Sequence, residues 1–192
     1  TACDEPVHDG MVVHTNSPRV RAARRTNLRL ILSQHDCQCA FCTRNGNCSL
    51  QKLAMDANLL YIPYPINIRK GIWDRSTPLI RQESKCIKCM RCIQVCDKIQ
   101  GLNIWDVAGT GSRVTVNVSR NRKITDADCA FCGQCVTHCP TAALRERDDT
   151  ENVLDILADP ALTTVVQVAP AVRVAWAEEM GLTPGPAGAT WT

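Results

Sequence analysis

The sequence predicts an α+β chain of small domains in series, each organised around cysteines and not around one large apolar core. Thirteen cysteines occur in 192 residues, and eight of them fall in two copies of one spacing. Aromatic residues are only 4% of the chain, low for a large hydrophobic core. A helical apolar pattern stands before the cysteine groups and an alternating pattern between the two copies, which supply the α and the β.

The two copies are Cys86-x-x-Cys89-x-x-Cys92-x-x-x-Cys96 and Cys129-x-x-Cys132-x-x-Cys135-x-x-x-Cys139, the second followed by Pro140. This spacing holds iron–sulfur cubanes: three thiolates wrap one face of a cluster and the fourth cysteine reaches the other cluster. The predicted sets are therefore Cys86, Cys89, Cys92 and Cys139 for one [4Fe–4S] centre, and Cys129, Cys132, Cys135 and Cys96 for another. Such crossing staples the two halves around a shared core, and metal binding supplies folding energy that a small apolar core does not. Zinc also takes Cys-x-x-Cys pairs, but a structural zinc site closes with four ligands in two pairs, whereas each run here carries four cysteines. Disulfides need an oxidising compartment, and no signal-peptide pattern stands before the cysteines in this stretch.

In chain order, Asn16-Ser17-Pro18 predicts a helix start, with Ser17 capping and Pro18 in the first turn. Val20, Ala23, Asn27 and Ile31 recur at helical spacing. Arg19, Arg21, Arg24, Arg25 and Arg29 lie mostly off that stripe. A solvated face is the default for such a set, and a docking surface for an acidic redox partner is the alternative. The helix is expected to end at Gln34, so that His35 opens a loop.

That loop carries His35-x-x-x-Cys39-x-x-Cys42-x-x-x-x-x-Cys48. Three thiolates and one imidazole complete a third [4Fe–4S] coordination sphere. A neutral imidazole in place of a thiolate raises the reduction potential, as in Rieske-type centres. It also makes that potential sensitive to pH where the free ring nitrogen titrates. A zinc site is the plainer alternative for this block. Cys37 reads as a free buried thiol that could substitute for a ligand. His8, His14 and His138 have no ligand spacing.

Residues 61–67, Tyr-Ile-Pro-Tyr-Pro-Ile-Asn, are Pro-rich and extended, and with residues 69–78 predict a connector between this site and the paired runs. Between the runs, residues 97–128 form an insertion. Within it, residues 113–118 alternate as a strand, and residues 119–121 could turn it into a second short strand at 123–125. Ile104 and Trp105 are expected to pack over the first cluster, or else to be ordinary core.

Net charge is +3, too weak to argue for nucleic acid or a membrane surface. No apolar run approaches the ~20 residues needed to span a bilayer. A soluble, cytoplasmic protein in a reducing, anaerobic setting is expected. Residue 1 is Thr, and Cys3 has no partner nearby; both ends read as cut from a longer polypeptide.

A terminal cysteine, then one histidine with three cysteines, then two four-cysteine runs, resembles the accessory domains of the iron-only ([FeFe]) hydrogenases of the NAD(P)-linked, multi-subunit type. Related blocks occur in the large iron–sulfur subunit of respiratory complex I and in NAD-dependent formate dehydrogenase alpha subunits. The resemblance implies four segments. Residues 1–15 are similar to the end of a plant-type [2Fe–2S] ferredoxin domain, with Cys3 as the fourth ligand of a site whose other ligands precede residue 1. Residues 16–78 hold the histidine-ligated cubane and linker, with His35, Cys39, Cys42 and Cys48 as ligands. Residues 79–150 are similar to a bacterial two-cubane ferredoxin domain. Residues 151–192 look like the truncated start of an α/β catalytic domain, with an opening strand near residues 164–173.

The implied cofactors are three [4Fe–4S] clusters, a [2Fe–2S] cluster where the preceding part is present, and a di-iron catalytic cluster in the full-length protein. No cysteine follows Cys139, so this stretch cannot hold the hydrogen-activating site. The implied function is an electron relay from that site, through the Cys129/Cys132/Cys135/Cys96 centre and then the Cys86/Cys89/Cys92/Cys139 centre, to the histidine-ligated centre or the incomplete [2Fe–2S] site. The implied partner is ferredoxin or a flavin subunit that handles NAD(P), in a hetero-oligomer. The alternatives are a formate dehydrogenase alpha subunit, which predicts a further cubane motif and a molybdenum domain downstream, and a stand-alone polyferredoxin-like carrier without turnover.

Overall fold

The computed structural model describes residues 5–181. Cys3, with the reading of it as a [2Fe–2S] ligand, and the C-terminal stretch from residue 182 lie outside the described residues. The chain forms two compact units, Thr1–Arg147 and Asp148–Thr192.

In the first unit, helix α1 (Pro18–Leu32) begins as expected, with Ser17 Oγ accepting from the Val20 N–H at 3.3 Å. It ends two residues earlier than expected. The predicted stripe is not its contact face: Ala23 and Asn27 are exposed, and the half-buried residues near its end are Leu28, Arg29, Ile31 and Leu32. Only the last turns meet the rest of the unit. There Arg25 donates to the Asn58 carbonyl at 3.3 Å, and the Arg29 guanidinium lies 4.8 Å from the Tyr61 ring centre. Arg29 is thus a packing residue and not part of a solvated face. Helix α2 (Ser49–Asp56) follows Cys48 and buries Leu50.

Strand β1 (Leu79–Arg81) pairs antiparallel with β4 (Leu144–Glu146), Ile80 opposite Arg145. The ladder continues through Gln82 N–H to the Ala143 carbonyl at 2.8 Å, and it brings the start of the first cysteine run beside the end of the second. Strand β2 (Trp105–Ala108) pairs antiparallel with β3 (Thr115–Val118), Trp105 opposite Val118. The expected strand is therefore present, but its partner is upstream. Residues 123–125 do not form a strand: Ile124–Asp126 is a single 3-10 turn. The β2–β3 connection needs Gly109, at φ +78°, where a Cβ would stand 2.6 Å from the Arg113 carbonyl oxygen.

Helices α3 (Arg91–Gln94) and α4 (Gln134–Thr137) each start just after the second cysteine of a run, from a left-handed residue: Met90 at φ 61° and Gly133 at φ 76°. Lys88 (φ 58°) and Phe131 (φ 48°) repeat the same backbone before that cysteine. The repeated spacing thus becomes a repeated loop. After α3 the helix widens into a π turn, Val95–Ile99, that carries Cys96 inward. The main core cluster contains Leu79, Ile104, Trp105, Val116, Val118, Ile124, Ala143 and Leu144, together with Cys96, Cys135 and Cys139. Thiols are part of the core.

The second unit has α5 (Thr150–Ala158) and α6 (Pro170–Glu179). The opening strand expected near residues 164–173 is not formed among the described residues: residues 164–169 pair with no strand, and residues 170–173 are the first turn of α6. A strand of a parallel sheet needs a neighbour, and no second strand lies in this unit's described part. Among the described residues no helix is long and apolar enough to cross a membrane.

Candidate metal centres

The eight cysteines of the two runs divide between two cavities, and they divide in the crossed sense. One cavity is lined by Cys86, Cys89, Cys92 and Cys139, with Arg81 and Trp105. The other, of about 170 Å³, is lined by Cys96, Cys129, Cys132 and Cys135, with Ile104 and Trp105. The β1–β4 ladder brings Cys139 to the first set, and the π turn brings Cys96 to the second. Among the described residues, no three His, Cys, Asp or Glu side chains converge as the ligands of a single metal ion would. The thiols surround spaces, as a polynuclear group requires, and the cysteines of the described residues are free of disulfides.

The electrostatics of these thiols fit a cationic iron–sulfur core. Burial pushes Cys92 up to about 12 and Cys135 up to about 11, with neighbouring thiols of the same set adding to the shift. Cys86 and Cys129 are raised for the same reasons. Crowded thiolates in a dry site repel each other, and a positively charged core removes that penalty.

Each cavity also holds donors aimed at sulfur. The amides of Lys88 and Ile104 donate to Cys86 Sγ and Cys96 Sγ, both at 3.4 Å. Thr141 Oγ1, which stands 3.8 Å from Cys139 Sγ, is not one of these donors, because its proton goes to the Lys85 carbonyl at 2.8 Å. The Phe131 amide and the Trp105 side chain hydrogen-bond to Cys129 and Cys135 and hold their pKa values down against burial. Such bonds favour the thiolate and tune a bound cluster.

Ile104 and Trp105 were expected over the first cluster. Ile104 instead lines the Cys96/Cys129/Cys132/Cys135 cavity. Trp105 lines both, because β2 runs between them, and its ring stacks on Trp73 with centres 5.9 Å apart. Both are also core, at 2% and 3% exposure.

A third, wider cavity of about 460 Å³ is lined by His35, Cys37, Cys39 and Cys48, with α2 residues around it. Cys42, expected as a ligand, is half-buried and does not line it; Cys37, expected to be buried, is exposed and does. His35 is buried, and its Nδ1 has no hydrogen-bond partner. Burial, then the charge of Lys85, lower its pKa, against smaller opposing effects of Asp36 and the Lys85 main chain. The ring is therefore neutral at neutral pH, the form in which imidazole binds iron, and iron would satisfy an otherwise orphaned nitrogen. The loop is docked on the paired runs: Asp36 N–H donates to the Ser84 carbonyl at 2.8 Å, Ser49 N–H to the Pro140 carbonyl at 3.3 Å, and Arg44 to the Val136 carbonyl at 3.3 Å.

Sequence reasoning missed the buried cations Arg81 and Lys85 and the buried hydroxyl of Thr141. The available signal was position: Arg81 ends an apolar strand, Lys85 immediately precedes Cys86, and Thr141 follows the Cys139-Pro140 pair.

Two family models match parts of the first unit. Residues 24–61 match the NADH-ubiquinone oxidoreductase-G iron-sulfur binding region, and residues 85–143 match the 4Fe-4S dicluster domain. The chain is 40% identical, over 96% of its length, to NADP-reducing hydrogenase subunit HndD of Solidesulfovibrio fructosivorans, covering 32% of that protein. It is 29% identical over 93% of its length to Iron hydrogenase 1 of Clostridium pasteurianum, covering 31% of it. It is 30% identical over 75% of its length to NADPH-Fe(3+) oxidoreductase subunit alpha of Geobacter sulfurreducens, covering 17%. It thus spans at most about a third of the length of these relatives. A chain of an NAD+-reducing [NiFe]-hydrogenase shares the fold, with a TM-score of 0.69 over 76% of this chain and 63% of that one, at 23% identity. With cysteine-lined cavities falling inside both matched regions, the chain is an iron–sulfur electron-transfer module, similar over nearly its whole length to part of these hydrogenase subunits.

Proposed function

We propose that the described unit holds three [4Fe–4S] clusters and relays electrons within an NAD(P)-linked hydrogenase subunit. The ligand sets are His35, Cys39, Cys42 and Cys48; Cys86, Cys89, Cys92 and Cys139; and Cys129, Cys132, Cys135 and Cys96. The clusters, when bound, supply one-electron redox chemistry. The chain's own residues position the sulfurs, exclude water and stabilise negative charge.

The observation that carries this reading is the division of eight cysteines between two cavities in the crossed sense. Trp105 and Ile104 keep the space between and beside those cavities dry. The amide and indole donors act on charge that grows on sulfur during reduction, which favours the reduced state. For the third set, Cys42 must turn inward to complete the ligands, and Cys37 stands beside it as the competing thiol.

In the longer protein, hydrogen is converted at a di-iron site outside this stretch, and the electrons pass to ferredoxin or a flavin and NAD(P)-binding subunit of a cytoplasmic hetero-oligomer. In a longer chain, Cys3 would complete a [2Fe–2S] site. The relatives named as hydrogenases, at 96% and 93% coverage of this chain, favour this over a formate dehydrogenase or a free carrier.

Anaerobic assembly of the chain with iron and sulfide tests it. The expected result is about twelve irons per chain, three cubanes of four irons each, with three reducible signals in electron paramagnetic resonance. One tightly bound zinc, or an oxidised chain with disulfides, would overturn the reading.

A further inference from the structure

Lys85 is only 5% exposed, yet its side chain carries an ammonium. It ends the Glu83–Lys85 turn, one residue before Cys86. Its Nζ donates to the main-chain carbonyl of Asp36 at 3.3 Å. Neither the ion pair of Arg81 with Glu83 nor that of Lys98 with Asp97 involves it, and its ammonium is in no ion pair among the described residues. A buried cation held by one neutral carbonyl is an incomplete arrangement, because burial removes hydration that only an opposite charge replaces.

The missing charge has a place. The ammonium reaches into the loop that carries the histidine block, and its field acts on His35 and Cys37. The Asp36 carboxylate, on the same loop, acts on His35 in the opposite direction. On the other side, the Lys85 carbonyl accepts from Thr141 Oγ1 at 2.8 Å, and that hydroxyl faces Cys139 Sγ. The main chain of Lys85 thus braces the Cys139 set while its side chain points to the His35 set. The charge that acts on Cys86 is that of Arg81, not of Lys85.

We propose that Lys85 is the built-in counter-charge of the His35, Cys39, Cys42 and Cys48 centre, a positioning residue that raises that centre's reduction potential selectively. This rests on the three-cubane reading above. Adding an electron to a group with anionic ligands is favoured by a fixed positive charge nearby, and the low dielectric of a buried site strengthens the effect. One imidazole in place of one thiolate acts in the same direction, so both features set this centre apart from the other two.

The test is a redox titration of the complete, anaerobically assembled chain, followed by electron paramagnetic resonance, in wild type, Lys85→Gln, Lys85→Met and Lys85→Arg. Pulsed measurements on wild type first identify the centre that couples to the His35 nitrogen; absence of any such centre overturns the three-cubane reading and the counter-charge with it. Given that signal, Lys85→Gln and Lys85→Met should lower its midpoint potential, Lys85→Arg should restore it, and the two all-cysteine centres should stay in place. An unmoved midpoint in Lys85→Gln, or an equal shift of all three centres, overturns the proposal. If the neutral variants lose the histidine-coupled cubane, retention in Lys85→Arg supports a need for charge; equal loss in Lys85→Arg overturns it.

Discussion

The crossing of ligands between the two runs can be tested by counting iron in two double variants that share one substitution. Cys96 lines the cavity with Cys129, Cys132 and Cys135, although its own run contains Cys86, Cys89 and Cys92. In Cys96→Ala/Cys129→Ala, crossed ligation places both losses in one cubane. About eight of twelve irons should remain, since each cubane holds four. In Cys96→Ala/Cys86→Ala, crossed ligation removes one ligand from each of two cubanes, and about four irons should remain. Ligation within each run predicts the reverse. Alanine is the better replacement, because a serine oxygen can still hold iron. Both variants lose the same buried core thiol, Cys96 at 7% exposure, so the packing cost at that position cancels in the comparison. The assay is iron and sulfide per chain after desalting, with signal integration to show which centre survives. Equal iron in the two variants, or more in the second, would refute the reasoning from cavity lining.

Trp105→Phe keeps the ring but removes the side-chain hydrogen bond to Cys135. It should lower the potential of the Cys96/Cys129/Cys132/Cys135 centre by roughly 40 mV, if the bond differs by about 1 kcal/mol between redox states, while the Cys86/Cys89/Cys92/Cys139 centre moves less. Redox titration checks this. Gly133→Ala should cost about 1 kcal/mol, because Gly133 sits at φ 76° with nothing within 4 Å of a new Cβ, so the strain is in the backbone alone; chemical denaturation of the assembled chain measures it. Cluster retention should rise with pH. The thiols of Cys92 and Cys135, at about 12 and about 11, take up protons whenever iron leaves, so acid favours loss and base opposes it across the range below those values. Iron remaining after a fixed chelator challenge at pH 6.5 and pH 8.5 should be greater at the higher pH.

The parts of the site that were legible are those in which one short loop does the work. Cys86, Cys89 and Cys92 meet because a turn with left-handed residues before and after Cys89 wraps them, and the same turn recurs at Cys129, Cys132 and Cys135. Spacing alone encodes such a loop. The β1–β4 ladder was not legible, because its three-residue strands show no alternation and β1 is buried throughout. Its partners are remote in sequence, and the pairing is driven by the sulfur-lined core that both strands flank. The partner of β3 was misread for a related reason. Residues 123–125 have strand-like composition, but Asn121 at φ 54° and Arg120 at φ 61° turn the chain away, and Ile124 is buried from a 3-10 turn instead. In α1, spacing overstated the contact face, since only its final turns have anything to pack against.

The buried cysteines join fold and function in one physical account. Cys96, Cys135 and Cys139 belong to the same core as Val118 and Ile104, and no large aromatic core stands behind them. A thiol in that position is a small apolar group while protonated, but each iron-bound sulfur is anionic and must face a cation or a hydrogen-bond donor. The structure supplies those partners locally: the Ile104 amide at Cys96, the Trp105 side chain at Cys135, and Arg81 near Cys86. They lie on β2, on the residue before it, and on β1, so the strands that complete the core also aim these groups. Iron loss from this unit is therefore expected to loosen the β1–β4 and β2–β3 ladders together. Hydrogen exchange at the Ile80, Arg145, Asp106 and Asn117 amides, which lie at the hydrogen-bonded pairs of the two ladders, should show all four losing protection after chelation; a β2–β3 hairpin that stays protected without iron would separate the core from the clusters and contradict this account.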